Sequence, residues 1–242
     1  MFWKMRNAAN RLIYKYFYAK YVNVPDSCRI VTFTFDDFPD SALFNGGKLL
    51  EKYGFRGTFY LAPELCEKTT EVGRIVSSAD VNKCIEAGHE IGHHTFSHLD
   101  CSAAEKKEII ADIEKANVEL GDIKAENFSY PFGRNNIKAR KVLSSYFKSC
   151  RGIHGGINRG KVDVLNLKSN AVYLGNNNAD SLVQKINDIK DNGGWLIFYT
   201  HDVTRQPGPY GCTKEMLENL IKAATESGLK IATVEEALAK FL

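Results

Sequence analysis

Between Arg29 and Thr233, short β-rich runs alternate with helical segments, and glycines punctuate several of the joins. Few patterns constrain a fold more. Strands separated by helices cannot pair as hairpins, so they line up parallel and carry their helices outside. The strands are Arg29–Phe35 (RIVTFTF), Arg56–Leu61, His89–Ile91 and the apolar Trp195–Thr200, with Phe128–Tyr130, Ser149–Arg151, Asn170–Leu174 and Lys230–Thr233 as short candidates. Helices are predicted over Ser41–Tyr53, ended by Gly54; over Ser78–Ala87, ended by Gly88; and over Ser102–Leu120, with Gly121 beyond. Ala179–Lys190, Thr213–Ser227 and Val234–Leu242 complete the set. Seven or so βα units in 242 residues predict one α/β domain whose sheet closes into a barrel. No repeat, low-complexity stretch or linker divides it.

Composition narrows the function classes. A hydrophobic fraction of 44% with a net charge of only +3 excludes a disordered chain and lacks the basic excess that nucleic acid asks for. No stretch reaches the roughly 18 apolar residues of a membrane span. The six cysteines (Cys28, Cys66, Cys84, Cys101, Cys150, Cys212) form no Cys-x-x-Cys pair, so they read as reduced thiols. The N-terminus has no uninterrupted apolar run of the signal-peptide kind, and the expected compartment is the cytoplasm. Residues 1–24 are set apart from the barrel domain, 25–242. Met1–Tyr21 holds basic residues and no acid, with Phe2, Met5, Leu12, Ile13 and Tyr16 near helical spacing. It reads as a basic amphipathic helix, either packed on the domain or lying on an anionic membrane face.

Chemistry concentrates at three strand ends, where a parallel barrel gathers its reactive groups. The first strand runs into two adjacent carboxylates, Asp36 and Asp37. Neighbouring strand residues face opposite ways, so the pair can divide two jobs. His94 and His98 follow a short strand, and their spacing of four lets both imidazoles share a metal from one helical turn. The apolar strand from Trp195 delivers His201, an acid/base candidate. Two histidines and one aspartate leave open positions on a divalent ion such as Zn²⁺, Fe²⁺, Co²⁺ or Ni²⁺. With a free aspartate and a facing histidine, the combination is hydrolytic.

The ordered set Thr34-Phe35-Asp36-Asp37, His94-Thr95-x-x-His98, Tyr130-Pro131-Phe132-Gly133 and a late apolar strand ending in His201 resembles the polysaccharide deacetylases, carbohydrate esterase family 4. Leu50–Tyr60 and Gly88–Gly92 look like that family's second and third strands, and the resemblance covers Arg29 to Leu238. It implies a distorted (β/α)7 barrel. It also implies that Asp37, His94 and His98 hold the metal, Zn²⁺ first among the ions named. Asp36 would take a proton from the metal-bound water, His201 would protonate the leaving amine, and the Phe132 N–H would steady the oxyanion.

Three departures stand out. Ser129 occupies the place of the family's base-orienting arginine; Arg151 is the expected replacement, with Lys168 in reserve. Asp163 only loosely resembles the family's fourth-motif acid. Asp-Asp-Phe-Pro replaces Asp-Asp-Gly-Pro, so Phe38 and Pro39 are expected to reshape the cleft wall. Phe38, Trp195, Phe198 and Tyr210 are candidates to stack on a sugar ring, whereas His89, His93 and His154 read as structural or surface residues. The implied activity is removal of acetyl groups from an N-acetylated sugar, in a glycan or a lipid- or nucleotide-linked precursor. The alternatives are a hydrolase of formamido sugars or cyclic amides, and a carbohydrate-binding relative without catalysis.

Overall fold

The computed structural model describes residues 19–176 and 179–242. Its twelve strands are β1 (Tyr21–Val24), β2 (Arg29–Phe35), β3 (Thr58–Leu61), β4 (Thr69–Thr70), β5 (Gly73–Arg74), β6 (Glu90–His93), β7 (Asn127–Ser129), β8 (Ser149–Arg151), β9 (Gly160–Asp163), β10 (Asn170–Ala171), β11 (Gly194–Thr200) and β12 (Lys230–Ile231). β2 and β11 are the longest and pair in parallel from Gly194↔Arg29 to Thr200↔Phe35. Around them the sheet runs β10-β11-β2-β3-β6-β7-β8, parallel at every step. β3 and β12 share one edge of β2: β12 takes Ile30 and Val31, β3 takes Thr34 and Phe35.

The sheet curls until β8 nearly meets β10. A one-residue bridge closes the seam: Leu167 N–H donates to the Cys150 carbonyl at 2.9 Å, and Gly152 N–H to the Leu167 carbonyl at 3.0 Å. This is a distorted α/β barrel with seven strands in its main path and β12 added beside β2, the architecture that the family resemblance implies.

Alternation along the strands sorts the side chains. On β2, Val31, Phe33 and Phe35 join the core packed under the helices, with Leu49, Leu50, Ile186 and Leu217. Ile30 belongs instead to a second core with Val24, Val162, Val164, Trp195 and Ile197, which fills the barrel's lower end. Continuing the inner columns upward gives Thr32, Thr34 and Asp36 on one strand, and Tyr199 and His201 on the other. The two reactive groups therefore stand at the top of adjacent columns.

Helix boundaries depart from expectation at both kinds of end, and the last helix stops at Leu238 rather than Leu242. Ser41–Tyr53 divides into a π-helical turn, Ala42–Gly47, and an α-helix, Lys48–Lys52. The helix predicted from Ser102 begins at Lys106, where Glu105 and Glu108 form a reciprocal capping box. Ile137–Leu143, capped by Asn136, was not predicted, and neither were β1, β9 and the β4–β5 hairpin. Of the residues set apart as a basic helix, 1–18 lie outside the described residues, and Tyr21–Val24 form β1, antiparallel to β9. Among the described residues no helix is long and apolar enough to cross a membrane.

Candidate metal centre and active site

Asp37 follows the last residue of β2's column into a left-handed turn, with φ of 59° at Asp37 and 58° at Phe38. Its Oδ1 lies 3.2 Å from His98 Nε2 and 3.4 Å from His94 Nε2. That oxygen is buried and makes no hydrogen bond. A buried, unsatisfied carboxylate oxygen is costly, and one facing two imidazole nitrogens is arranged for a cation between them. The three side chains are the group of potential ligands found among the described residues, their donor atoms all within 4.8 Å of one another.

The histidines converge by a route other than the predicted helical turn. Thr95 and His98 both take positive φ, 62° and 57°, and the segment is a loop. Asp112, on the helix Lys106–Leu120, pins it by accepting from Phe96 N–H, Ser97 N–H and the Ser97 hydroxyl at 2.6, 3.1 and 2.7 Å. His94 Nδ1 donates to the Ser129 carbonyl at 2.8 Å, which fixes the tautomer and leaves Nε2 bare toward Asp37. Burial would raise the Asp37 carboxyl, but His94 foremost, with His98 and His201, holds it well below the ordinary range. Burial, then the charge of His94, pushes His98 down to about 4, so its ring is neutral at pH 7 as a ligand must be.

Asp36, beside Asp37 but turned the other way, is buried and accepts from Arg151 Nη2 with both oxygens. The same guanidinium donates to the Ser129 hydroxyl, to Ser169 Oγ at 3.1 Å and to the Gly152 carbonyl at 3.0 Å. It lies between the Tyr60 and Tyr199 rings, 5.3 and 4.8 Å from their centroids. Arg151 thus stands where the sequence asked for a replacement arginine. Lys168 does not: its exposed ammonium reaches the Ile157 carbonyl.

His201 donates Nδ1–H to the Tyr210 carbonyl at 3.1 Å, and its Nε2 faces Asp37 Oδ2 at 3.9 Å. Phe132, with φ of 58°, lines the same pocket, its ring edge-on to His98 at 4.4 Å. Six non-glycine residues among those described have left-handed φ, and five of them (Asp37, Phe38, Thr95, His98, Phe132) belong to these loops. Strain gathered in this way marks a functional site.

The polysaccharide deacetylase profile matches residues 23–147, just over half of the chain and the segment that carries Asp36, Asp37, His94, His98 and Phe132. The chain belongs to the polysaccharide deacetylase family. A search of curated protein sequences finds no match. Among solved structures, this deacetylase-family chain is similar to a family 4 acetyl xylan esterase from Clostridium thermocellum in complex with a cobalt ion: 22% identity, 88% of this chain and 91% of that one, TM-score 0.60. It is also similar to the chitin deacetylase of the fungal pathogen Colletotrichum lindemuthianum, at 15% identity over 88% and 89% of the chains with a TM-score of 0.61. A family 4 pseudoenzyme from Bacillus anthracis matches at 16% identity over 88% and 66%, TM-score 0.59. At these identities the likeness establishes the fold.

The deacetylase-family pocket has a volume of about 310 Å³ and is walled by Tyr173, Tyr199, Tyr210, Ile153, Val72, Glu71 and Arg134 around the groups above. Of the proposed ring-stacking residues, only Tyr210 is there. Phe38 is fully buried against Phe59, ring centroids 4.7 Å apart, because the left-handed turn swings it beneath the loop. Trp195 is on the correct face of β11 but at the wrong end. It lies six residues below His201, ~20 Å at ~3.3 Å per residue, with its indole N–H on Thr32 Oγ1 at 2.9 Å. Phe198 is outward-facing core.

Asp163 pairs with Arg140 and caps Leu165 N–H, away from the pocket. His89 and His93 are buried and His154 is exposed, none of them lining the pocket. Tyr199 and Tyr173 went unnoticed in the sequence, although Tyr199 stands two residues before His201 and so shares its face.

Proposed function

We propose that the chain is a metal-dependent hydrolase that removes the acetyl group from an N-acetylated sugar in a glycan or glycan precursor. The observation that carries this reading is Asp37 Oδ1, buried without a hydrogen bond and set 3.2 and 3.4 Å from two bare imidazole nitrogens. Asp37, His94 and His98 would hold one divalent ion, Zn²⁺ or one of Co²⁺, Ni²⁺ and Fe²⁺. Such an ion, when bound, polarises a carbonyl and makes a water molecule acidic enough to attack at neutral pH.

The remaining steps belong to the chain's own groups. Asp36, aimed by Arg151, accepts the proton of the attacking water. The Phe132 N–H donates to the acetamide oxygen as charge gathers on it. With Nδ1–H held by Tyr210, the proton that His201 delivers sits on Nε2, and it goes to the sugar nitrogen as the C–N bond breaks. The products are acetate and an amino sugar. Tyr210 and Tyr173 offer ring faces to the sugar.

The expectation of a non-catalytic relative drew on the missing arginine at Ser129. Arg151 against Asp36 removes that ground and favours catalysis. Acetate release from chitin oligomers, acetylated xylan and monomeric acetamido sugars tests the reading, with formamido sugars and cyclic amides as comparison arms. Acetate from an acetamido sugar in proportion to enzyme supports it; turnover of only the comparison compounds, or of nothing, contradicts it.

A further inference from the structure

We infer that Asp202 is a positioning residue that holds the general acid His201 in place through the loop 203–211; this rests on the role given to His201 above. A single acceptor fixes the imidazole. The Tyr210 carbonyl takes His201 Nδ1–H and His201 N–H, both at 3.1 Å, and the Thr200 hydroxyl at 3.4 Å. Tyr210 is nine residues further along, and its own side chain is 41% exposed, so burial of the ring does not anchor that carbonyl. Loops of this kind move unless something ties them.

Asp202 ties this one on both sides of Tyr210. It is buried, and its Oδ2 accepts Gly208 N–H at 2.9 Å while its backbone carbonyl accepts Cys212 N–H at 3.0 Å. Gly211 presses on the carboxylate so closely that a Cβ there would come within 2.1 Å of Oδ1. Leu174 N–H adds an outer tie to the Gly211 carbonyl at 2.9 Å. The carboxylate touches neither Asp36 nor the candidate metal ligands in any hydrogen bond or ion pair of the structure, so its effect on the reaction runs through His201. Without it the Tyr210 carbonyl drifts and the imidazole loses its fixed direction. That loss is felt only where the leaving group needs a proton.

The experiment compares kcat/KM of the Zn²⁺-loaded enzyme on an acetamido sugar and on 4-nitrophenyl acetate, whose leaving group departs without a proton. Asp202→Ala should lower the amide-to-ester ratio by about tenfold or more, part of the roughly 10²–10⁴-fold that a well-placed general acid contributes. Asp202→Asn, whose amide oxygen still accepts Gly208 N–H, should restore most of it. In a His201→Ala background, Asp202→Ala should change the ratio by less than about twofold, because residues acting as one unit are not additive. Gly211→Ala disturbs the same contact from the other side and should lower the ratio too, which keeps the test intact where Asp202→Ala melts early. Equal losses on both substrates, or an undiminished effect in the His201→Ala background, would overturn the inference. Wild type inactive on both substrates would overturn the hydrolase reading and this inference with it.

Discussion

Arg151 and Asp36 are 115 residues apart in the chain and meet inside the barrel mouth, the guanidinium of one donating to both oxygens of the other. Each stands at the end of its strand, β8 and β2, and both are buried, Arg151 completely and Asp36 nearly so. Ser129, at the end of β7, is small enough to admit the guanidinium and gives it a hydroxyl to hold. A buried carboxylate is thereby both satisfied and aimed.

Breaking that pair should be expensive. Arg151→Ala leaves a buried charge uncompensated, and unfolding in urea should show a loss of about 3–5 kcal/mol. Adding Asp36→Asn to Arg151→Ala should recover part of it, since the charge needing compensation is gone. A double mutant no more stable than Arg151→Ala would mean that Arg151 acts by packing alone.

Metal content tests the ligand set. Purified protein should carry close to one equivalent of a divalent ion by elemental analysis, and His94→Ala or His98→Ala should lose it. A chelator should abolish turnover and Zn²⁺ or Co²⁺ should restore it. Full metal retention in both histidine variants would remove Asp37, His94 and His98 from this role.

The order of strands and helices was legible because period-two and helical patterns are local, and the three reactive strand ends were legible because each interrupts an apolar run with charge. Even the displaced arginine could be found, since Arg151 also ends a strand. What was not legible depends on depth and on loops. Trp195 and Tyr199 share a face, yet only the closed barrel says that one lies at the floor and the other at the mouth. Phe38 was misread because a left-handed turn, rather than strand alternation, directs it. Asp112 and Asp202 were given no role because their partners are mostly backbone N–H groups of loops, which carry no residue signature.

Core and pocket aromatics should separate in their effects. Trp195→Ala should cost about 3–5 kcal/mol of stability through the cavity it opens and leave KM of the folded enzyme where it was. Tyr210→Ala should do the reverse, raising KM for the sugar with little change in melting temperature. A raised KM in Trp195→Ala would place the indole nearer the substrate than the barrel floor.

Acid stability should depend on His89. Its Nδ1 accepts Gly57 N–H at 3.0 Å, its Nε2 faces Glu51 at 3.3 Å, and burial foremost lowers its pKa below the ordinary 6.5. The unfolded chain therefore takes this proton at a higher pH than the folded one. As pH falls below about 6.5 the unfolded state binds more protons, so stability declines until the folded ring also titrates. Urea midpoints measured from about pH 7.5 to about pH 5 should fall less steeply in His89→Gln than in wild type. Parallel slopes would show that other groups carry the dependence.

In the proposed reaction Asp36 moves a proton while Asp37, its neighbour, holds the metal. Asp36→Asn keeps the shape and removes the basicity, so acetate release and metal content should be measured on one preparation of that variant. The variant should keep close to one equivalent of metal and a near-normal melt, with acetate release from an acetamido sugar reduced at least about 10²-fold. Near-normal acetate release, or loss of the metal along with the activity, would contradict that division of roles.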